Sequence, residues 1–499
     1  MAAGPERGRL PTIVMVTSEI APFSKTGGLG DVSGALAIAL ADAGRRVFTV
    51  SPRYEGNRHD GAGDTGLRLW IPLGGAIHQV HVHHQRVGNV EHLFVSNPMY
   101  ERDGIYGDRN GSFGDNHIRF GLLCRAAIDT VRRLGWDGLG EDVIFHVNDW
   151  QTSLLPIYLD ALYRPLGMFT GAPTVLAIHN PAHQGRLPAA LFDDLELHRR
   201  WFSPGALDQQ GDLGLLHAGL LAADQLTTVS PTFAWEITTP GGGFGLEPIL
   251  RHRMADLTGI RNGIDARMWD PATDPHLAAN FSAADLSGKR ACKAALQREL
   301  GLRVDADIPV LGSVGRLDPQ KGIELLLESV PWMVEQGAQV VLLGSAAAAH
   351  VRYEHQAREL ERRFPDHVRS WVGFDEALSH RIEAGSDIFL MPSLFEPCGL
   401  NQMYSLRYGT PPVVRRTGGL ADTVANWDPP NDVGTGFSFD RPLAGAFRDA
   451  VWRALQLWRG DRGAFERMQK RGMEFDYSWA PAVDLYEEVY RKALARRGR

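Results

Sequence analysis

The segment GRLDPQKG (315–322) places two cations, Arg316 and Lys321, in one loop that follows an apolar run and precedes a helical pattern. An arginine can grip phosphate oxygens in bidentate fashion, a lysine acts as a point charge, and a helix N-terminus offers free N–H groups. The combination suits a diphosphate, although on its own the loop reads equally well as two ordinary surface charges. FEPCGLNQMYSLRYG (395–409) sets Glu396 just before a helix expected to begin near Gly399. A carboxylate there favours the helix dipole; it is also an acceptor for sugar hydroxyls. The N–H groups beside it, around Cys398, Gly399, Leu400 and Asn401, can hold phosphate. TGGLADTV (417–424) is a further glycine turn between strand and helix, with Thr417, Gly418 and Gly419 at its bend.

SKTGGLGDV (24–32) has the same setting, between the apolar run Ile13–Val16 and a helical pattern. It fails as a dinucleotide fingerprint: from Gly28 the spacing gives Gly30 and then Ser33, and no acidic residue closes the second strand at Val50-Ser51-Pro52. It fails as a P-loop too, since no G-K-[S/T] occurs. What remains is Lys25 ahead of a glycine-flanked helix N-terminus, a place for an anion or for a bulky ligand close to the backbone at Gly28. FHVNDWQ (145–151) and IHNPAHQG (178–185) put His146, Asp149, His179, Asn180 and Gln184 directly after apolar strands. A thiolate nucleophile at Cys398 would need an orienting histidine, and none is identifiable. HQVHVHH (78–84) turns His81 and His83 to one strand face without a supporting Cys or carboxylate cluster. The Asp-x-Asp at 305–307 falls in a pre-strand turn, where aspartates belong anyway. No metal is expected.

The elements that must position these residues alternate between short apolar runs and helical patterns, which argues for α/β architecture with parallel sheets. One series has strands at 12–17, 46–50, 143–147, 174–178 and 225–229; a second has them at 308–314, 339–343, 368–372, 387–391 and 412–414. Between them, 266–305 reads as a connection plus a helix. At 499 residues the chain exceeds one hydrophobic core. The expectation is two doubly wound domains facing each other, with ligands at the carboxyl ends of the strands. The net charge of −7, with no basic patch, argues against nucleic acid. Three distant cysteines suit a reducing compartment. The start, MAAGPERGRLP, lacks the apolar core of a signal peptide, and no run reaches membrane-spanning length, so the expectation is a cytoplasmic protein without a membrane partner.

Taken in order, KTGGLGDV, NDW, IHN…QG, NGID (262–265), GRLDPQKG, FEPCGLNQ and YGTPPVVRRTGGLADTV resemble glycosyltransferase family 5, the bacterial glycogen synthases and plant starch synthases, from about residue 12 to 490. The resemblance implies a GT-B fold: two Rossmann-like domains across a cleft, 1–265 on the acceptor side, completed by a C-terminal helix within 478–499, and 266–477 binding the nucleotide sugar. It implies retaining, metal-independent transfer of glucose from ADP-glucose to the non-reducing end of an α-1,4-glucan, with no cofactor, by a monomer or homo-oligomer. Arg316 and Lys321 would neutralise the diphosphate, and Glu396 would bind the glucose 3-OH and 4-OH region, with the Cys398–Asn401 backbone nearby. Lys25 and Gly28 would line the nucleotide-sugar side of the first domain. Asp149, His179, Asn180 and Gln184 would face the donor glucose, His179 supporting the anomeric centre, and Phe374 would stack on adenine. Asn148, Gln151, His183 and His217 depart from residues common in the family. The competing readings are another donor, such as UDP-glucose, or another acceptor; a catalytically silent glucan scaffold; and, distantly, a nicotinamide oxidoreductase.

Overall fold

The run Ile13–Val16 is unbroken by polar residues because the strand it belongs to, Thr12–Val16 (β1), is buried along its whole length. Parallel strands with both faces covered read as unbroken apolar runs. The computed structural model describes residues 10–55, 61–108 and 111–499; most of the N-terminal stretch read above for a signal peptide lies outside the described residues. The chain divides into two units, one comprising the chain up to Val229, Ala234–Asn262 and Trp479–Arg499, the other Ser230–Phe233 and Gly263–Ser478.

In the first unit, β1 leads into a helix at Gly28–Asp42 (α1), followed by strands Val47–Pro52 (β2), Gly63–Leu73 (β3), Ala76–Val87 (β4) and Val90–Ser96 (β5). Strands Val143–Asn148 (β6), Thr174–Ile178 (β7), Gln225–Thr228 (β8) and Leu257–Gly259 (β9) complete a nine-stranded sheet of order β9-β8-β7-β6-β1-β2-β5-β4-β3. The sheet is parallel from β9 to β5, but β4 runs antiparallel to both β5 and β3. The antiparallel strand departs from the parallel sheets expected of the alternating pattern. The difference follows from the short connections 74–75 and 88–89, which permit hairpins but not crossovers. The histidine-rich segment lies in β4, where His78 Nε2 donates to the Leu73 carbonyl at 3.0 Å and His84 Nε2 is 2.6 Å from Glu91.

The second unit is a six-stranded parallel sheet of Val310–Val314 (β10), Gln339–Gly344 (β11), Val368–Val372 (β12), Ile388–Met391 (β13), Pro412–Arg415 (β14) and Phe437–Phe439 (β15), ordered β12-β11-β10-β13-β14-β15. Helices Ile323–Glu335 (α2), Asn401–Arg407 (α3) and Gly418–Thr423 (α4) follow β10, β13 and β14. The α3 helix begins at Asn401 rather than Gly399, because Gly399 takes a left-handed conformation (φ +71°) that ends the preceding loop. The segment expected to be a plain connection is packed: Trp269 stacks on His380 and Tyr404, with ring centroids 3.9 and 3.8 Å away, and Asp274 lies 2.7 Å from His380 and 2.5 Å from Tyr408.

The C-terminal helix Ala480–Arg496 (α5) belongs to the first unit. Val483, Tyr486, Val489 and Tyr490 share a core cluster with Ile13, Met15, Leu36 and Leu40. Each such buried side chain is worth roughly 1.5–3 kcal/mol. The peripheral pair Arg496–Asp256 at 2.7 Å adds at most about 1 kcal/mol beside that packing.

Candidate active site

Each sheet has a switch point beside its first strand. In the first unit β1 and β2 are followed by β3 at the far edge, from which β4 and β5 step back inward, and the chain then passes to the other side of β1 for β6 to β9. In the second it moves from β10 to β12, then returns at β13. Loops leaving the two strands at such a switch point diverge and open a crevice. The polar residues picked out from the sequence follow these strands: Thr17–Gly27 after β1, Asp149 after β6, Arg316–Gly322 after β10 and Pro392–Leu400 after β13.

At the first switch point, Asp149 opens a short helix and takes φ +53°, a left-handed conformation unusual for a residue other than glycine. Its Oδ1 accepts from the backbone N–H of His179 at 2.7 Å and of Asn180 at 3.4 Å. Burial pushes its carboxyl up to about 7, against the two N–H donors that favour the charged form. His179 Nε2 donates to Asn148 Oδ1 at 2.9 Å, while Asn148 Nδ2 donates to the Val16 carbonyl at 3.0 Å. Asn148 therefore sets the histidine's tautomer, and burial pushes His179 down to about 4, keeping it neutral. The KTGG turn is held from beneath by Glu19. Its carboxylate accepts from the backbone N–H groups of Thr26 and Gly27 (the latter at 3.2 Å), from Thr26 Oγ1 at 2.9 Å and from the Tyr106 hydroxyl. A Cβ at Gly27 or Gly28 would meet nothing within 4 Å, so the Cα of each borders open space. Lys25 Nζ pairs with Asp31 at 2.8 Å.

At the second switch point, Lys321 Nζ lies 2.7 Å from Glu396 Oε2, and Ser393 Oγ donates to the same oxygen at 2.9 Å. Arg316 is more exposed, reaching Asp318 and Gln320 at 3.3 Å each. Asn401 Nδ2 donates to the Val314 carbonyl at 2.7 Å, tying the loop after β13 to the end of β10. The Thr417-Gly418-Gly419 turn lies against the Glu396 loop. The Gly419 N–H donates to the Glu396 and Pro397 carbonyls at 3.1 Å each, and a Cβ on Gly418 or Gly419 would sit 2.0 or 2.1 Å from carbonyl oxygens of that loop. A cavity of about 160 Å³ adjoins these groups, lined by Gly315, Arg316, Lys321, Ser393 and Asn401 and by an apolar wall that includes Leu317, Leu342 and Leu390. The N-terminus of α2 immediately follows Lys321 and Gly322. Cationic side chains, a helix N-terminus and a buried carboxylate beside an apolar wall can together take a diphosphate carrying an apolar ring and a polyhydroxyl group.

Not every candidate joins these clusters. His146 faces away, its Nδ1 2.7 Å from the Tyr490 hydroxyl under α5. Gln184 donates to the Pro181 and Phe244 carbonyls at 3.0 and 2.8 Å and accepts from Gln209 at 3.1 Å, so it ties loops together. Asn180 Oδ1 caps its own turn at the Ala182 N–H. Cys398 is buried, and Phe374 is 83% exposed beyond the edge strand β12. Of the departures, Gln151 is buried and offers its carbonyl to Cys124 Sγ at 3.7 Å, while His217 Nδ1 donates to the Ala206 carbonyl at 3.1 Å. Three supporting residues escaped the sequence reading: Glu19, Ser393 and Tyr106. Glu19 and Ser393 do carry the signal used for Asp149, a polar residue just past an apolar strand. Tyr106 lies in a loop with no such mark.

Residues 12–252 match the family described as the starch synthase catalytic domain, and residues 301–472 match glycosyl transferases group 1. The chain is 48% identical to a glycogen synthase of Anaeromyxobacter dehalogenans, over 96% of this chain and 98% of that protein. It is 43% identical to soluble starch synthase 1 of Solanum tuberosum, over 96% of this chain and 78% of that protein. Among solved structures, the catalytic domain of starch synthase IV from Arabidopsis thaliana, bound to ADP and acarbose, superposes with a TM-score of 0.89 at 33% identity, covering 98% of this chain and all of that one. A sucrose-phosphate synthase from Thermosynechococcus elongatus, 18% identical with a TM-score of 0.59 over 97% of this chain and 99% of that one, shares the fold.

Proposed function

We infer the reaction from one premise: the chain belongs to the starch and glycogen synthase family of glycosyltransferases, with the GT-B fold. It elongates an α-1,4-glucan, such as glycogen or a maltooligosaccharide, with glucose from ADP-glucose. The observation that carries this reading is the convergence of Lys321 and Glu396 at 2.7 Å, with Arg316 and the N-terminus of α2 at the same strand end.

The finer proposal assigns roles. Arg316, Lys321 and the N–H groups opening α2 stabilise the diphosphate as the glycosyl–oxygen bond breaks, the charge-stabilising work that otherwise falls to a divalent cation. Transfer is therefore metal-independent and uses no cofactor. Glu396 accepts from the glucose 3-OH and 4-OH region, while Cys398, Gly399, Leu400, Asn401 and the Thr417–Gly419 turn shape the backbone around it. In the first unit, neutral His179 and Asp149 support positive charge at the anomeric carbon, Asn180 and Gln184 hold the loop that carries His179, and Lys25 and Gly28 border the nucleotide sugar. Phe374 stacks on adenine. Retention follows a front-face course, in which the leaving diphosphate oxygen takes the acceptor hydroxyl's proton as the new bond forms. No helix among the described residues is long and apolar enough to cross a membrane; we place the protein in the cytoplasm, as a monomer or homo-oligomer.

Purified protein given glycogen with ADP-glucose or UDP-glucose tests the reading. Incorporation from ADP-glucose, unaffected by chelator, is expected; a strong preference for UDP-glucose would overturn the donor assignment.

A further inference from the structure

We propose that Ser393 is a positioning residue that commits one oxygen of Glu396 to the protein and leaves the other for a hydroxyl of the donor glucose; this rests on the function proposed above. The Glu396 side chain is nearly buried, and its two oxygens are used unequally. Oε2 accepts from Ser393 Oγ at 2.9 Å and from Lys321 Nζ at 2.7 Å, while Oε1 accepts no hydrogen bond among the described residues. The backbone of Glu396 is held, because its carbonyl accepts from the Gly419 N–H at 3.1 Å and the 418–419 turn packs directly against the loop. Only the side-chain torsions remain to be set.

Lys321 alone sets them poorly. Its ammonium rides on a flexible stem, carries three rotating donors and is 27% exposed. When a diphosphate binds, the same ammonium acquires a second anionic partner and is drawn toward it. Ser393 behaves differently. It is fully buried, lies two residues past the end of β13 and has one hydroxyl proton, which goes to the carboxylate. It is the contact that persists when Lys321 turns to the leaving group, and it keeps Oε1 aimed at the sugar during bond cleavage.

The test compares wild type, S393A and S393C with ADP-glucose and its 3-deoxy and 4-deoxy analogues on glycogen. A site built to hydrogen-bond a hydroxyl rejects the substrate lacking it, so wild type should discriminate strongly against at least one analogue. For S393A, kcat/KM with ADP-glucose should fall ~10-fold, as expected for a lost hydrogen bond to a charged group. Discrimination against that analogue should shrink at least about fivefold, since a mobile carboxylate cannot tell the two donors apart. KM for glycogen should not change, and S393C, with its weak donor, should fall between. If S393A melts early, S393C supplies the same comparison. Undiminished discrimination in variants that lose activity would reduce Ser393 to a packing residue and overturn the proposal, as would unchanged activity. A wild type that turns over no ADP-glucose would defeat the functional reading itself, and the role of Ser393 with it.

Discussion

The two switch points share a topology and differ in charge. At the first, the buried carboxylates of Glu19 and Asp149 each accept backbone N–H groups, and the half-buried His179 imidazole is neutral. At the second, two cations stand beside a cavity, and the one buried carboxylate is tied to one of them. Carboxylates engaged by backbone donors fix geometry, whereas cations bordering a cavity can take up an anionic ligand. The first is suited to presenting a rigid polar wall to a reacting sugar, the second to drawing in an anion and stabilising it as it leaves.

The comparison breaks most visibly at Lys321. K321A should lower kcat by ~10²–10³, the range for removing one preorganised charge-stabilising group, and steady-state kinetics with ADP-glucose would show it. A loss under fivefold would move the diphosphate elsewhere. E19Q should come next. It removes the charge on which Thr26, Gly27 and Tyr106 converge, and kcat/KM should drop ~10-fold or more, with the donor and acceptor KM values separating an effect on the nucleotide-sugar side from one on the glucan.

Asp149 sharpens the contrast through pH. Its folded-state pKa of about 7 lies above the unfolded carboxyl value of 3.8. Below pH ~4 both states hold the proton. Between ~4 and ~7 only the folded state does, so its contribution to stability declines as pH rises through that window. Relative to wild type, D149N should therefore gain in melting temperature as pH goes from 4 to 8, a difference reaching a few kcal/mol at most; a pH-independent offset between the two melting curves would contradict the buried carboxyl. His179, lowered to about 4, acts in the opposite sense, contributing stability that grows between pH ~4 and ~6.5.

Smaller effects are expected at the rims. K25A should raise KM for ADP-glucose several-fold and leave the melting temperature within about 2 °C, since its pair with Asp31 is half-exposed and worth at most about 1 kcal/mol; an unfolded variant would make Lys25 structural. F374A should raise the same KM by ~3–10-fold through lost stacking worth about 1 kcal/mol, with stability unchanged because the ring is exposed.

Much of this was legible before any coordinates. The strands were visible because parallel strands buried on both faces must be apolar throughout, as in Ile13–Val16 and Val310–Leu311. Polar residues placed directly after such strands lie at the carboxyl edge, which is why Asp149, His179, Arg316, Lys321 and Glu396 could be singled out. His146 shows the limit of that rule. It lies within β6 and not beyond it, so its side chain meets the Tyr490 hydroxyl of a helix more than three hundred residues away. Gln184 shows another: its amide type suits a sugar, but three local partners take it.

The central parallel strands, the two-sheet α/β plan and the residue types at the strand ends are legible in the chain alone, because periodicity and burial are local properties, whereas β3, β5, β9 and β15 are not. The tertiary contacts are what show which oxygen of Glu396 is taken, that Asn148 sets the His179 tautomer and that Glu19 carries the KTGG turn. These depend on which strands are neighbours and how their loops meet, and hydrogen bonds between Lys321 and Glu396, 75 residues apart, leave no mark on either segment alone.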